Sequence, residues 1–185
     1  MRRCHDDPVD DTHPCAPALR RAEPADWTAL AETDALAASG DQGRRASIRR
    51  WCSAGLVTLA EDARGPVGYA VLEYTFFEQG FLTLLTVAPG ARRQGVATHL
   101  LAAVEAACTT PKLFTSANVS NQPMHRLLLT AGWQPAGLVH GLDDGDPELF
   151  YLCPSANLSR SSTLRTFPDT VIGKESRIRT RAGTL

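Results

Sequence analysis

Apolar positions recur along this chain with two different periods, and each change of period marks an element. Residues 18–22 read as a short strand. Pro24 suits the first turn of a helix, where its missing N–H would have no partner anyway, and Trp27, Leu30 and Ala31 then fall on one side. A second helical stretch follows near residues 43–54, with Ile48 and Trp51 three apart. Residues 57–60 form a strand, ended by the turn Asp62-Ala63-Arg64-Gly65-Pro66. Residues 67–74 alternate, with Gly68 and Ala70 on one face and Tyr69 and Val71 on the other. After a loop at Glu78-Gln79-Gly80, residues 81–87 are almost continuously apolar, as in a central strand covered on both sides.

From Val96 the period lengthens. Ala97, Leu101, Val104 and Cys108 fall at i, i+4, i+7 and i+11, an amphipathic helix that Pro111 stops. Residues 112–116 are a short strand. Met124, Leu127, Leu128 and Ala131 mark another helix, which ends at Gly132. Residues 133–142 and 149–153 are two last strands joined by Asp143-Asp144-Gly145-Asp146-Pro147. The predicted order is strand, two helices, three strands, helix, strand, helix, two strands. It implies an α/β (α+β) class, with a mixed sheet and helices on both faces.

Composition sets the frame around that body. With 43% hydrophobic and 21% charged residues in 185, a folded domain over residues 17–153 has material for a real core. Residues 1–16, rich in Asp, Pro and His, lack any period and read as a disordered arm. Residues 154–185 read as a Ser/Thr/Arg-rich tail in which Arg160, Arg165, Lys174, Arg177, Arg179 and Arg181 outnumber Asp169 and Glu175. A net charge of -1 gives no global field for nucleic acid. No run nears the roughly 18 apolar residues of a membrane span, and the first residues lack the apolar core of a leader. A cytoplasmic protein without membrane or nucleic-acid partners is expected. Five cysteines (Cys4, Cys15, Cys52, Cys108, Cys153) show no C-x-x-C pair and the five histidines are scattered. Reduced thiols and no metal site are the expectation.

Candidate chemistry concentrates in Leu85-Thr86-Val87-Ala88-Pro89-Gly90-Ala91-Arg92-Arg93-Gln94-Gly95-Val96-Ala97. A buried strand ends, a basic loop turns, and a helix begins with small residues. The first amides of a helix have no internal partner, and the helix dipole adds positive potential there, so such an end suits phosphate. Gly95 and Ala97 leave room for close approach to the backbone. Arg92 and Arg93 add charge, and Thr98 a hydroxyl. No G-x-x-x-x-G-K-[ST], G-x-G-x-x-G or G-x-S-x-G pattern competes.

At these residues the chain resembles the GNAT superfamily of N-acetyltransferases. Arg92-Arg93-Gln94-Gly95-Val96-Ala97 satisfies its [QR]-x-x-G-x-[GA] signature, and Leu85-x-Val87-x-Pro89 is similar to its preceding strand. Asn121 followed by a helix that ends in Gly132-Trp133 is similar to its second motif. The resemblance covers residues 18–153 and implies a mostly antiparallel central sheet. It implies acetyl-CoA as cosubstrate and transfer of acetyl to a primary amine of a small molecule or peptide by direct attack in a ternary complex. Backbone groups of Leu85 and Val87 would meet the pantetheine and thioester carbonyl. Amides of Arg93, Gln94, Gly95, Val96, Ala97 and Thr98 would hold the pyrophosphate, with Arg92 a further cofactor-binding residue through its charge. Asn121 would touch the pantetheine arm or the acetyl carbonyl, cap its own helix, or both. The implied partners are acetyl-CoA and an amine acceptor, with a homodimer left open.

For chemistry, the Val87 amide could polarise the carbonyl, and Glu73, near a strand end, could take the amine proton. The same carboxylate could equally be solvated, and Glu78 is a further candidate. Leu128 stands where the family often has a Tyr acid. Tyr74, Ser120, His125 or water are the remaining proton sources, and Met124 replaces a usual small residue. Asp143, Asp144, Asp146 and Glu148 could attract a cationic acceptor or simply form a wet turn. Two rival readings are an acyl-CoA sensor without turnover, which Leu128 favours, and a basic tail that docks on a protein or nucleic acid.

Overall fold

The computed structural model describes residues 17–154. The arm at 1–16 and the tail from residue 155 lie outside them. The described residues open with β1 (Ala18–Arg21), a 3-10 turn at Pro24–Asp26, and helices α1 (Trp27–Thr33), α2 (Ala35–Ala38) and α3 (Gln42–Ser53). Strands β2 (Val57–Asp62), β3 (Gly65–Phe76) and β4 (Gln79–Val87) follow. Then come α4 (Val96–Ala107), β5 (Leu113–Asn118), α5 (Gln122–Thr130), β6 (Gln134–Val139) and β7 (Glu148–Leu152). The seven strands form one sheet in the order β1-β2-β3-β4-β5-β7-β6. Every neighbouring pair is antiparallel except β4 and β5, which run parallel.

Strand alternation divides the core in two. Ala70 and Leu72 pack with Leu100, Leu101 and Val104 of α4 and Leu128 of α5. Tyr69 and Val71 turn the other way, towards Leu30, Ile48 and Trp51 of the first helices. Each such large apolar side chain contributes about 1.5–3 kcal/mol on burial. The two covers differ in reach. The core under α1–α3 extends to Leu84 of β4 but includes no residue of β5, β6 or β7. Among the described residues, that face of β5 and β7 therefore carries no helix.

Three details depart from the sequence expectation. The turn after β3 is Phe77-Glu78, both left-handed at φ 49° and 60°, and Gln79 and Gly80 already belong to β4. A two-residue connection needs positive φ to match strand twist, even without glycine. Helix α2 was not anticipated, because four residues show no period. It exists because Asp34 accepts Ala37 N–H at 2.9 Å as its cap. Third, β3 and β4 are longer than the apolar runs that announced them.

Asp34 does more than cap. Only 3% exposed, it also accepts the Tyr69 hydroxyl at 2.8 Å, with the Arg44 guanidinium 3.9 Å away. Burial first, and then this carboxylate, hold the Tyr69 phenol far above its ordinary pKa. Asp34→Ala leaves two buried donors unpaired, so a loss of about 3 kcal/mol in urea unfolding is expected. With Tyr69→Phe already in place the loss should shrink by about 1 kcal/mol, which a double-mutant cycle reads directly.

Candidate active site

Strands β4 and β5 share only a short ladder. Gly80, Phe81 and Leu82 pair with Leu113, Phe114 and Thr115, and pairing stops there. The Thr115 hydroxyl, buried, donates to Leu82 O at 2.8 Å and closes the ladder's end. Beyond it β4 runs on to Val87 and β5 to Asn118 without a bond between them. On the opposite edge β4 stays paired with β3. Ala88 N–H donates to Val67 O at 2.9 Å, so that pair is hydrogen-bonded and its neighbour, Gly68 with Val87, is not. By the same alternation the amides and carbonyls of Leu85 and Val87 point away from β3, into the gap.

The loop beyond β4 brings charge to that gap. Pro89–Ala91 make a 3-10 turn, and Arg92 Nε donates back to Val87 O at 3.2 Å. Arg93 (φ 61°) and Gly95 (φ 82°) are both left-handed. A non-glycine residue there costs about 1–2 kcal/mol, and alternating left- and right-handed residues turn successive amides towards one point. Gly95 is the N-cap of α4. No side chain caps this end and no acidic residue lies in its first turn, so the N–H groups of Val96, Ala97 and Thr98 stay available to a ligand.

These pieces line one open cleft of about 690 Å³. Of the residues named above as cofactor-binding candidates, Leu85, Val87, Arg92, Arg93, Gly95, Val96, Ala97, Thr98 and Asn121 all contribute to its wall. Gln94 does not: it turns outward, its amide donating to Gly90 O at 3.0 Å. Thr86, Arg126 and Leu127 join the wall without having been predicted as site residues, and so does Met124, noted above only for its size. The lining holds three arginines and no carboxylate. Such a cleft fits an anion at one end and a narrow, amide-bearing arm along Leu85 and Val87.

A model of the acetyltransferase (GNAT) family matches residues 17–133. The chain belongs to this family. No curated protein sequence matches it. Among solved structures, a GNAT-family acetyltransferase from Bacillus cereus is 29% identical, with a TM-score of 0.68 over 73% of this chain and 94% of that one. A diaminobutyrate acetyltransferase from Paenibacillus lautus, solved with L-2,4-diaminobutyric acid and coenzyme A, is 23% identical. Its TM-score is 0.62, over 75% of this chain and 95% of that one. A ribosomal-protein-alanine N-acetyltransferase from Brucella melitensis is 22% identical, with a TM-score of 0.61 over 73% and 98%. At those identities the last two share the fold. The chain is thus an acyltransferase, of a family whose general reaction is acetyl transfer to an amine.

The GNAT chain's other candidates are dispersed. Leu128 is fully buried in the core, and α5 offers the cleft Met124 and Leu127 instead. The Tyr74 hydroxyl lies at the far end of α4, accepting from Thr109 N–H at 3.2 Å. His125 is 8% exposed and locked. Its Nε2 faces the carbonyls of Asn118 and Val119 at 3.0 and 3.2 Å, which can only accept, so Nδ1 is the acceptor of the Tyr151 hydroxyl at 2.9 Å. Ser120 donates its hydroxyl to Asp146 at 2.6 Å and its N–H to the same carboxylate at 3.1 Å. Asp143 accepts from Asn118 Nδ2 at 2.7 Å. Two of the four hairpin carboxylates therefore anchor the loop before α5, which the reading of a merely wet turn missed. Glu78 sits in the β3–β4 turn. Glu73 is not in the cleft wall; it accepts from Thr83 Oγ1 at 2.6 Å. Among the described residues no group of three or more His, Cys, Asp or Glu is placed to hold a metal ion. No described helix is long and apolar enough to cross a membrane.

Asn121 does cap α5, accepting Met124 N–H at 3.3 Å, and it also lines the cleft. Two substitutions separate the roles. Asn121→Asp keeps the acceptor and should leave stability within about 0.5 kcal/mol, whereas Asn121→Ala should lose about 1 kcal/mol. If the amide also donates to the acyl donor, both variants should raise the KM for acetyl-CoA by about three- to tenfold, one charge-neutral hydrogen bond's worth.

Proposed function

We propose that the protein transfers acetyl from acetyl-CoA to a primary amine by direct attack within a ternary complex. The observation that carries this reading is the gap between β4 and β5, with Leu85 and Val87 facing it and the uncapped, acid-free end of α4 closing one side. Acetyl-CoA supplies the activated thioester when bound. The first amides of α4, with Arg92, Arg93 and Arg126 around them, hold the pyrophosphate. The outward amides of β4 bind the amide-bearing arm as a further strand would be bound, and one of them polarises the thioester carbonyl.

The atoms balance simply. An ammonium first loses one proton; its nitrogen lone pair forms the N–C bond. The C–S bond then breaks with its electrons on sulfur. The nitrogen gives up a second proton, and the thiolate takes one from solvent. No side chain need serve as acid, because an ordinary thiol pKa near 8.5 makes thiolate a tolerable leaving group. Glu73 is the candidate to receive the amine proton. It stands three residues along β3 from Ala70, the partner of Leu85, so about 10 Å from that level. A water relay, rather than direct contact, is the role its position supports.

Free thiol release from acetyl-CoA, measured against a panel of amines, tests the proposal. Release that requires an amine supports it. The wall of Met124 and Leu127, which offers no proton donor, favours one other reading, an acyl-CoA sensor. Tight coenzyme A binding by calorimetry with no release against any amine would establish that reading instead.

A further inference from the structure

The face of the sheet that α1–α3 leave uncovered is aromatic. Phe76, at the end of β3, packs on Phe81 of β4, Phe114 of β5 and Phe150 of β7, with ring centroids 4.8, 5.3 and 5.7 Å away. Phe81 and Phe150 complete the set at 6.2 Å. Phe81, Phe114 and Phe150 share one face because their strand neighbours Leu82, Leu113 and Tyr151 all turn to the opposite, helix-covered side, and Phe76 joins them after a register shift in β3 beyond Glu73. All four rings are half-buried. Four phenylalanines centred on Phe76 and kept partly wet, on a sheet face that no described helix covers, call for an apolar occupant.

This aromatic face adjoins the reaction centre. Phe81 lies one residue before the point where β4 and β5 part, and Thr86, on the same face beyond it, lines the donor cleft. A bulge at Thr83 lets Val71 pair with Leu84 and Leu72 with Leu82, and Thr83 is thereby turned towards Glu73. Glu73 pairs with Phe81 and so borders the rings on their own face. One carboxylate thus stands between an apolar surface and the gap. On the other flank, Asp143 and Asp146 are engaged with Asn118 and Ser120.

We propose that the acceptor is a primary amine carrying one apolar or aromatic arm, which lies on the phenylalanine face while its ammonium end passes Glu73 into the gap. The inference rests on the acetyl-transfer reading and names its substrate class. The reaction is that written above; the rings add only binding to the arm.

The test uses thiol release at saturating acetyl-CoA with four probe amines: 2-phenylethylamine, hexylamine, ethanolamine and putrescine. The two apolar amines should exceed the two polar ones in kcat/KM by about tenfold or more, the discrimination an apolar pocket supplies for a few methylenes. Phe114→Ala and Phe150→Ala should each erase most of that preference, with unchanged affinity for coenzyme A by calorimetry. This binding control also reports that the variants are folded, and the wild-type profile stands without them. A flat wild-type profile, or a preference for putrescine, would overturn the inference while leaving acetyl transfer intact. So would a preference that survives both substitutions. Substitutions that split a dimer without altering the amine profile would show that a second copy covers the face, and overturn it as well. No release with any amine would remove the acetyl-transfer reading and this inference together.

Discussion

Gly95→Glu is expected to abolish acetyl-CoA binding at concentrations where the unaltered protein is saturated. Gly95 is left-handed at φ 82°, and a Cβ there would meet nothing within 4 Å, so it would project into open space beside the cleft. Space is therefore not the obstacle; conformation and charge are. The left-handed backbone costs a side-chain residue about 1–2 kcal/mol, which the free loop escapes by relaxing and which binding must then repay. A carboxylate beside amides meant for an anion adds repulsion of similar size, and together they predict about a hundredfold or greater loss in affinity. Gly95→Ala carries the strain alone and should lose only about five- to thirtyfold. Calorimetric titration with coenzyme A checks both. Equal losses for the two variants would show that shape, not electrostatics, governs this corner. Unchanged binding in Gly95→Glu would sink the assignment of the pyrophosphate to α4.

Trp133→Ala is expected to be the most destabilising single truncation in the domain. Trp133 is 1% exposed in the core under α4 and α5, and its Nε1–H donates to Glu105 of α4 at 2.7 Å. Its own N–H donates to Leu128 O at 2.9 Å, so the ring is fixed at the point where α5 gives way to β6. Removing the ring opens a large cavity and deprives Glu105 of its partner. A loss of about 3–5 kcal/mol follows, with a fall in Tm of about 10–20 °C for a domain of this size. Trp133→Phe keeps most of the volume and should cost roughly half as much. A loss below about 1 kcal/mol for the alanine variant in urea unfolding would mean that the core recloses around the gap.

The sequence revealed what repeats locally. β3 was legible because Gly68, Tyr69, Ala70 and Val71 alternate, and the two cores separate them as predicted. The basic corner at the start of α4 was legible because Arg92, Arg93, Gly95 and Ala97 lie within six residues at the junction of two periods. Other features depend on partners far away along the chain. Nothing in Asp143 or Asp146 announces Asn118 or Ser120, more than twenty residues earlier. Arg126 was overlooked because the apolar stripe of α5 identifies the side facing the core, and the cleft takes residues from its flank. Glu73 could be placed only once the bulge at Thr83 was known, because one extra residue resets which side chains stand opposite each other. The phenylalanine set escaped notice for a similar reason. Phe76, Phe81, Phe114 and Phe150 come from four strands, and only the sheet order makes them neighbours.

The early end of the β4–β5 ladder has a consequence for how firmly the domain holds together. Two strands that part at Leu82 and Thr115 leave the sheet divided into a β1–β4 half and a β5–β7 half, joined by three rungs and by the helices beneath. A donor bound there as proposed would act as a rivet across that seam. Because it binds only the closed sheet, its affinity adds to the unfolding free energy, by about 2.7 kcal/mol when its concentration is a hundred times Kd. Under that proposal the mechanical integrity of the domain would rise and fall with the supply of acetyl-CoA.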